Sequence, residues 1–207
     1  MTRPPAPRGV SPSPLRLFPE QCGLALIDVQ ERLAAAMPEE PLRRHVGKMV
    51  LLIEAARRLD MPVLVSEQYP KGLGRTIPVL VEALKRLPAG SVHRFDKVDF
   101  DCAAVGAWRV ALRASRRRQW IAFGMETHVC VYQTARSLVG MGMSVHVPAD
   151  AVLSRWKSDW EIGLQLIGHA GATVTCAETV VFDLLGRSGT EVFEKLQTTL
   201  KRVSSRD

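Results

Sequence analysis

Short apolar runs alternate with longer stretches of helical periodicity along most of the chain. The first run, Gly23-Leu24-Ala25-Leu26-Ile27, stops abruptly at Asp28. Apolar residues at Val46, Met49, Val50, Ile53 and Leu59 predict a helix over 42–59, and Pro62 then opens a second run, Val63-Leu64-Val65. Further helices are predicted over 77–87, 103–115, 129–139 and 159–167, and further strands over 91–95, 120–123, 144–147 and 172–174. Runs this short and this apolar suit strands buried on both faces, and their alternation with helices specifies βαβ units. The expected fold is a single doubly wound α/β domain: a six-stranded parallel sheet, order 3-2-1-4-5-6, with right-handed crossovers and helices on both faces.

The 207 residues suit one domain, expected at 21–187. Residues 1–20, rich in Pro and Arg and without an apolar signal core, are expected to form a disordered leader. Residues 188–207 are expected to form a C-terminal helix and a basic tail. Val192, Phe193, Leu196 and Leu200 line one side of that helix, which should cap the core or meet a second copy, so a homo-oligomer is expected. The net charge of +7 gathers at Arg116-Arg117-Arg118 and at Lys201, Arg202 and Arg206, which read as solvated faces. A nucleic-acid footprint would need a longer basic stripe with aromatics, so no nucleic-acid partner is expected. No segment has the length of a membrane span, so no membrane association is expected either. The cysteines Cys22, Cys102, Cys130 and Cys176 lie too far apart for a CxxC pair or a zinc ribbon. Scattered cysteines suit a reducing, cytoplasmic setting.

In an open parallel sheet, functional groups gather beyond the carboxyl ends of the strands. Polar residues that follow the apolar runs are therefore the candidates: Asp28 after the first strand, His93, Asp96 and Lys97 after the third, and Glu126, Thr127, His128 and Cys130 after the fourth. The first and fourth strands are neighbours in the expected order, so Asp28 and Cys130 can meet. Lys97 starts two strand spacings away, roughly 10 Å, and its loop is expected to fold back. With Thr127 as N-cap, Cys130 falls in the first turn of a helix, where the dipole and a neighbouring Lys97 would favour a thiolate. Asp28 could then take the thiol proton and return it to a leaving group. Singly, each residue has a structural reading: a buried cysteine, a capping aspartate, a surface lysine. Gly72-Leu73-Gly74 reads as a plain turn, and Trp156 and Trp160 as core or interface.

Three segments together resemble the isochorismatase-like cysteine hydrolases: Leu26-Ile27-Asp28-Val29-Gln30, Gly124-Met125-Glu126-Thr127-His128-Val129-Cys130-Val131, and Ala149-Asp150-Ala151, with Lys97 and Phe100 between the first two. The resemblance spans about residues 22–183. It implies a triad in which Asp28 is the general acid/base, Lys97 stabilises the charged site and Cys130 attacks. It also implies a cis peptide at Met125–Glu126, an oxyanion hole formed by the backbone N–H groups of Glu126 and Cys130, and cleavage of a small amide or carbamoyl compound through a thioester. Gln30, Tyr69, Phe100 and His128 are the residues expected to face the substrate. Metal-dependent relatives carry histidines after the second strand; here that segment reads Ser66-Glu67-Gln68-Tyr69-Pro70-Lys71-Gly72-Leu73-Gly74, so no metal and no cofactor are expected. Relatives that cleave isochorismate lack the cysteine, so Cys130 argues against that substrate. Tyr69 to Gly74 is most similar to the isochorismatase-domain-containing branch. Two other classes stay open: a catalytically silent scaffold or ligand-binding protein of the same fold, and a thiol redox sensor.

Overall fold

The computed structural model describes residues 15–204. In chain order the elements are β1 (Cys22–Ile27), α1 (Glu31–Ala35), α2 (Glu39–Arg58), β2 (Val63–Gln68), α3 (Pro70–Leu73), α4 (Pro78–Leu84), β3 (Val92–Lys97), α5 (Gly106–Ala114), β4 (Gln119–Met125), α6 (Tyr132–Gly140), β5 (Ser144–Pro148), β6 (Val152–Leu153), α7 (Lys157–His169), β7 (Thr173–Thr175), α8 (Ala177–Leu185) and α9 (Glu191–Ser204). A one-turn π-helix, Thr127–Val131, joins β4 to α6.

The sheet runs β3-β2-β1-β4-β5-β7, with every pairing parallel. This is the expected doubly wound order, with β7 as the sixth strand of the path. The seventh strand is β6, which lies off that path and pairs with β4 through Gly124↔Val152 and Met125↔Leu153. Two residues are too few to leave a periodic signal in sequence. Right-handed crossovers put α2 and α4, which carry the chain from β1 to β3, on one face. They put α5, α6 and α7, which carry it back across the sheet, on the other. The central strands β1 and β4 are buried along their whole length, whereas the edge strand β3 exposes His93, Arg94 and Asp96.

Trp120 of β4 and Trp108 of α5 fill the core under one face, with ring centroids 6.4 Å apart. Each indole removes on the order of 150–250 Å² from water. Trp120 lies across Gly23 of β1, where a Cβ would come within 2.8 Å of the ring. A small residue in β1 thus makes room for the largest one in β4.

The described part of the expected leader is anchored. Leu17 is buried and its N–H donates to Asp183 Oδ2 at 2.6 Å, while the Phe18 N–H donates to Gln119 Oε1 at 2.8 Å. Gln119 Nε2 in turn donates to the Arg16 carbonyl at 2.6 Å. Disorder does not hold for 15–20, because one apolar side chain and three backbone groups find partners there. Residues 1–14 lie outside the described residues, as do 205–207 of the expected basic tail. The apolar side of α9 is also spoken for: Leu196 and Leu200 are buried, and α9 packs on α2 and α8. It caps the core, so the sequence argument for self-association through this face no longer stands. No helix among the described residues is long and apolar enough to cross a membrane.

Candidate active site

The ends of β1, β3 and β4 bring three side chains together. Asp28 follows β1 in a left-handed conformation, φ 51°, and its N–H donates to the Ser66 carbonyl at 3.1 Å. Lys97 is the last residue of β3. Its Nζ donates to Asp28 Oδ2 at 2.6 Å, with both side chains fully buried. It also meets Gln68 Oε1 at 2.7 Å, the carbonyls of Asp99 and Phe100 at 3.1 and 3.4 Å, and Cys130 Sγ at 3.6 Å. The long lysine side chain therefore crosses the end of β2 by itself, using Gln68 as a rest, and no loop folds back to deliver it.

Cys130 reaches this cluster because β4 closes against the end of β1. Gly124 pairs with Ile27 at φ 131°, and a Cβ there would lie 2.0 Å from the Ile27 carbonyl oxygen. Only glycine permits that approach, which carries the following turn over Asp28. The Met125–Glu126 peptide bond is cis, at the bond that the sequence resemblance indicates. Thr127 is not the N-cap expected from sequence. Glu126 takes that place without a side-chain capping bond, and the Thr127 side chain is buried inside the turn.

The expectation of an ionised sulfur is overturned. Burial, and then the Asp28 carboxylate, push the Cys130 thiol well above the ordinary cysteine value, and Lys97 offsets only part of this. Burial also works against the Lys97 ammonium, but the Asp28 carboxylate outweighs it and holds Lys97 above the usual lysine range. The resting site is thus a carboxylate between an ammonium and a thiol.

Ser66 and Cys102 support Asp28 from behind. Ser66 Oγ donates to Asp28 Oδ1 at 2.8 Å and lies 3.3 Å from Cys102 Sγ. Ser66 and Gln68 are absent from the candidates of the first, third and fourth strands, yet the same rule applied to the second run, Val63-Leu64-Val65, points to them, since Ser66 is the first polar residue after it. Of the substrate-facing candidates, Gln30 is a correction. It is fully buried, donates to the carbonyls of Gln68 and Gly74 at 3.0 and 2.7 Å, and accepts from the Gln68 N–H at 2.6 Å. Its amide ties two backbone segments together and has no free face for a ligand. Tyr69 and Phe100 stand more than half exposed beside the lysine, their backbones bonded to the Lys97 carbonyl and Nζ respectively. His128 is half-buried against Ser154 and does not join the cluster around Cys130. Trp160 packs on the core and donates to two backbone carbonyls, whereas Trp156 is exposed. No group of side chains that could hold a metal ion occurs among the described residues.

Burial raises two further thiols, Cys22 to about 12 and Cys102 to about 11. Each stays protonated in the folded chain where the unfolded chain has already ionised, near pH 9.0. Folding stability should therefore fall as pH rises above 9, by about 1 kcal/mol per thiol at pH 10. Urea titrations at pH 8 and pH 10 check this. The drop should shrink in Cys22→Ala and Cys102→Ala, and an undiminished drop in both would refute it.

The sequence profile described as the isochorismatase domain matches residues 22–179. "Isochorismatase domain-containing protein 1" of Salmo salar is 34% identical over 185 residues, which cover 89% of this chain and 62% of the salmon protein. The chain thus spans less than two thirds of that relative's length. Among solved structures, the MAR1 ribonuclease of Caenorhabditis elegans superposes with a TM-score of 0.82 at 34% identity, covering 90% of this chain and 92% of that one. The YcaC gene product of Escherichia coli, described as an octameric hydrolase of unknown specificity, has a TM-score of 0.82 at 19% identity, covering 94% and 93%. The nicotinamidase PncA of Bacillus subtilis has 0.66 at 18%, covering 75% and 99%. At those last two identities the likeness concerns the fold alone.

Proposed function

The chain belongs to the isochorismatase domain family, and from that premise we propose that it is a cysteine hydrolase cleaving the C–N bond of a small amide or carbamoyl compound. The observation that carries this reading is the buried contact of Lys97 with both Asp28 and Cys130, at 2.6 and 3.6 Å. A scaffold gains nothing from burying an ammonium, a carboxylate and a thiol together, because desolvating such a pair offsets most of its attraction.

The steps follow from the resting state. As Cys130 Sγ attacks the carbonyl carbon, its proton passes to Asp28, and Lys97 stabilises the negative charge then shared by sulfur and carboxylate. The backbone N–H groups of Glu126 and Cys130 receive the oxyanion. Asp28 returns the proton to the departing amine and leaves a thioester on Cys130. A water deprotonated by Asp28 then releases the acid and restores the thiol. The rings of Tyr69 and Phe100, with His128, are the surfaces that sort substrates. The steps above are carried by protein groups alone. Four unpaired cysteines suit a reducing cytoplasm, and the octameric fold neighbour favours a homo-oligomer.

A panel of small amides, carbamoyl compounds and ureas tests this reading. With a turned-over substrate, the wild type should accumulate an acyl adduct on the Cys130 peptide, detected by mass and released by hydroxylamine. Turnover without any adduct, or turnover retained in Cys130→Ala, would refute it. Single-stranded RNA belongs in the same panel, given the ribonuclease among the relatives. Lys97 and Arg155 are each engaged by a carboxylate, so neither is free to pair with a phosphodiester. RNA should therefore stay intact.

A further inference from the structure

The turn between the cis peptide and the nucleophile is held from one side by two residues with no part in the triad. Strand β6 runs beside Gly124 and Met125, so the chain leaving it passes Glu126 and Thr127. Ser154, almost fully buried, accepts the Thr127 N–H on its Oγ at 3.1 Å and lies 3.0 Å from His128 Nδ1. Arg155 grips the Glu126 side chain three times: its N–H and Nε donate to Oε1 at 3.2 and 3.0 Å, and Nη2 donates to Oε2 at 3.3 Å. On the other side, α7 lies directly against the same turn. A Cβ on Gly163 would come within 2.8 Å of the His128 nitrogen, and His128 Nε2 lies 3.8 Å from Asp159 Oδ2.

We propose that Ser154 and Arg155 are positioning residues for acyl transfer at Cys130, fixing the 126–128 turn so that the Glu126 and Cys130 N–H groups meet the oxyanion. This rests on the hydrolase reading above. Fold stability accounts poorly for the Arg155 contact, because its side chain is 52% exposed and an ion pair that open adds little to the stability of a chain. Three bonds from one residue to one carboxylate do, however, fix where the adjoining backbone points. An oxyanion hole is sensitive to that, since a misplacement of about 1 Å can lose on the order of a hundredfold in rate.

Two reagents separate positioning from general damage, using the full chain. Acylation of Cys130 by p-nitrophenyl acetate passes through an oxyanion and releases nitrophenolate; alkylation by iodoacetamide forms a C–S bond, expels iodide and needs no oxyanion hole. Ser154→Ala and Arg155→Ala should slow acylation by about tenfold to a hundredfold while alkylation at pH 8 stays within about twofold of wild type, and Arg155→Lys should fall between. Arg155→Ala keeps the test alive if the buried Ser154→Ala fails to fold. Acylation unchanged in both variants, or both reactions slowed in parallel, overturns the positioning role alone. If the wild type is not acylated at Cys130, or Cys130→Ala releases nitrophenolate as fast, the hydrolase reading falls and this inference with it.

Discussion

Asp28→Asn is expected to abolish turnover and to destabilise the fold by about 3–5 kcal/mol, the range for breaking a buried ion pair from one side. The stability loss arises on Lys97. Its ammonium is fully buried, and in the variant it keeps Gln68 and two backbone carbonyls but loses the carboxylate it pairs with. Asp28 is the leading influence that raises Lys97 against burial, so without it burial should depress Lys97 below its unfolded value. The folded variant then binds fewer protons than the unfolded chain, and its stability should climb with pH between the two values, a slope the wild type lacks in that range. Adding Lys97→Met should recover most of the lost stability and none of the activity. Denaturant midpoints for the four corners of this double-mutant cycle measure the coupling. Asp28→Asn as stable as wild type would mean that the pair does not form in solution.

The architecture was largely legible because buried strands and amphipathic helices write different periods into sequence. The two central strands, apolar along Leu24–Ile27 and Trp120–Phe123, leave no other reading. Shortness hid the rest. The two-residue β6 carries no period, and α1, at five residues, has a single buried side chain, Ala34. Yet β6 is what delivers Ser154 and Arg155 to the nucleophile turn, so the least legible strand positions a part of the site that periodicity could not reveal.

The clustered side chains were legible for a different reason: Asp28 directly follows a strand, Lys97 ends one, and Cys130 lies in the turn after a third. Their electrostatics were not. Sequence places Cys130 near a helix start and a lysine, and both lower a thiol. Only coordinates show that the sulfur is buried and shares the lysine with a carboxylate. Gln30 illustrates the opposite error. A polar residue two positions after Asp28 looks like a ligand group until its amide is seen to be saturated by Gln68 and Gly74.

Cys130→Ala should separate chemistry from folding most cleanly. Removing the attacking atom should lower turnover by about four to six orders of magnitude, as nucleophile deletions do elsewhere. The stability change should stay within about 1 kcal/mol, because one small buried group is lost and a thiol held protonated against Asp28 is no source of binding energy. Cys130→Ser is the sharper variant. A hydroxyl ionises far less readily than a thiol, and a carboxylate is a weak base for it, so serine should lose nearly as much rate as alanine. The remaining thiols serve as internal controls. Cys22 and Cys102 are fully buried and held protonated, whereas Cys176 is partly open and bonded only to Thr179. Any acyl label found in Cys130→Ala should therefore map to Cys176, without turnover. Turnover that survives in the alanine variant would put the attacking group elsewhere, on a bound water deprotonated by Asp28, and would leave Cys130 as packing alone.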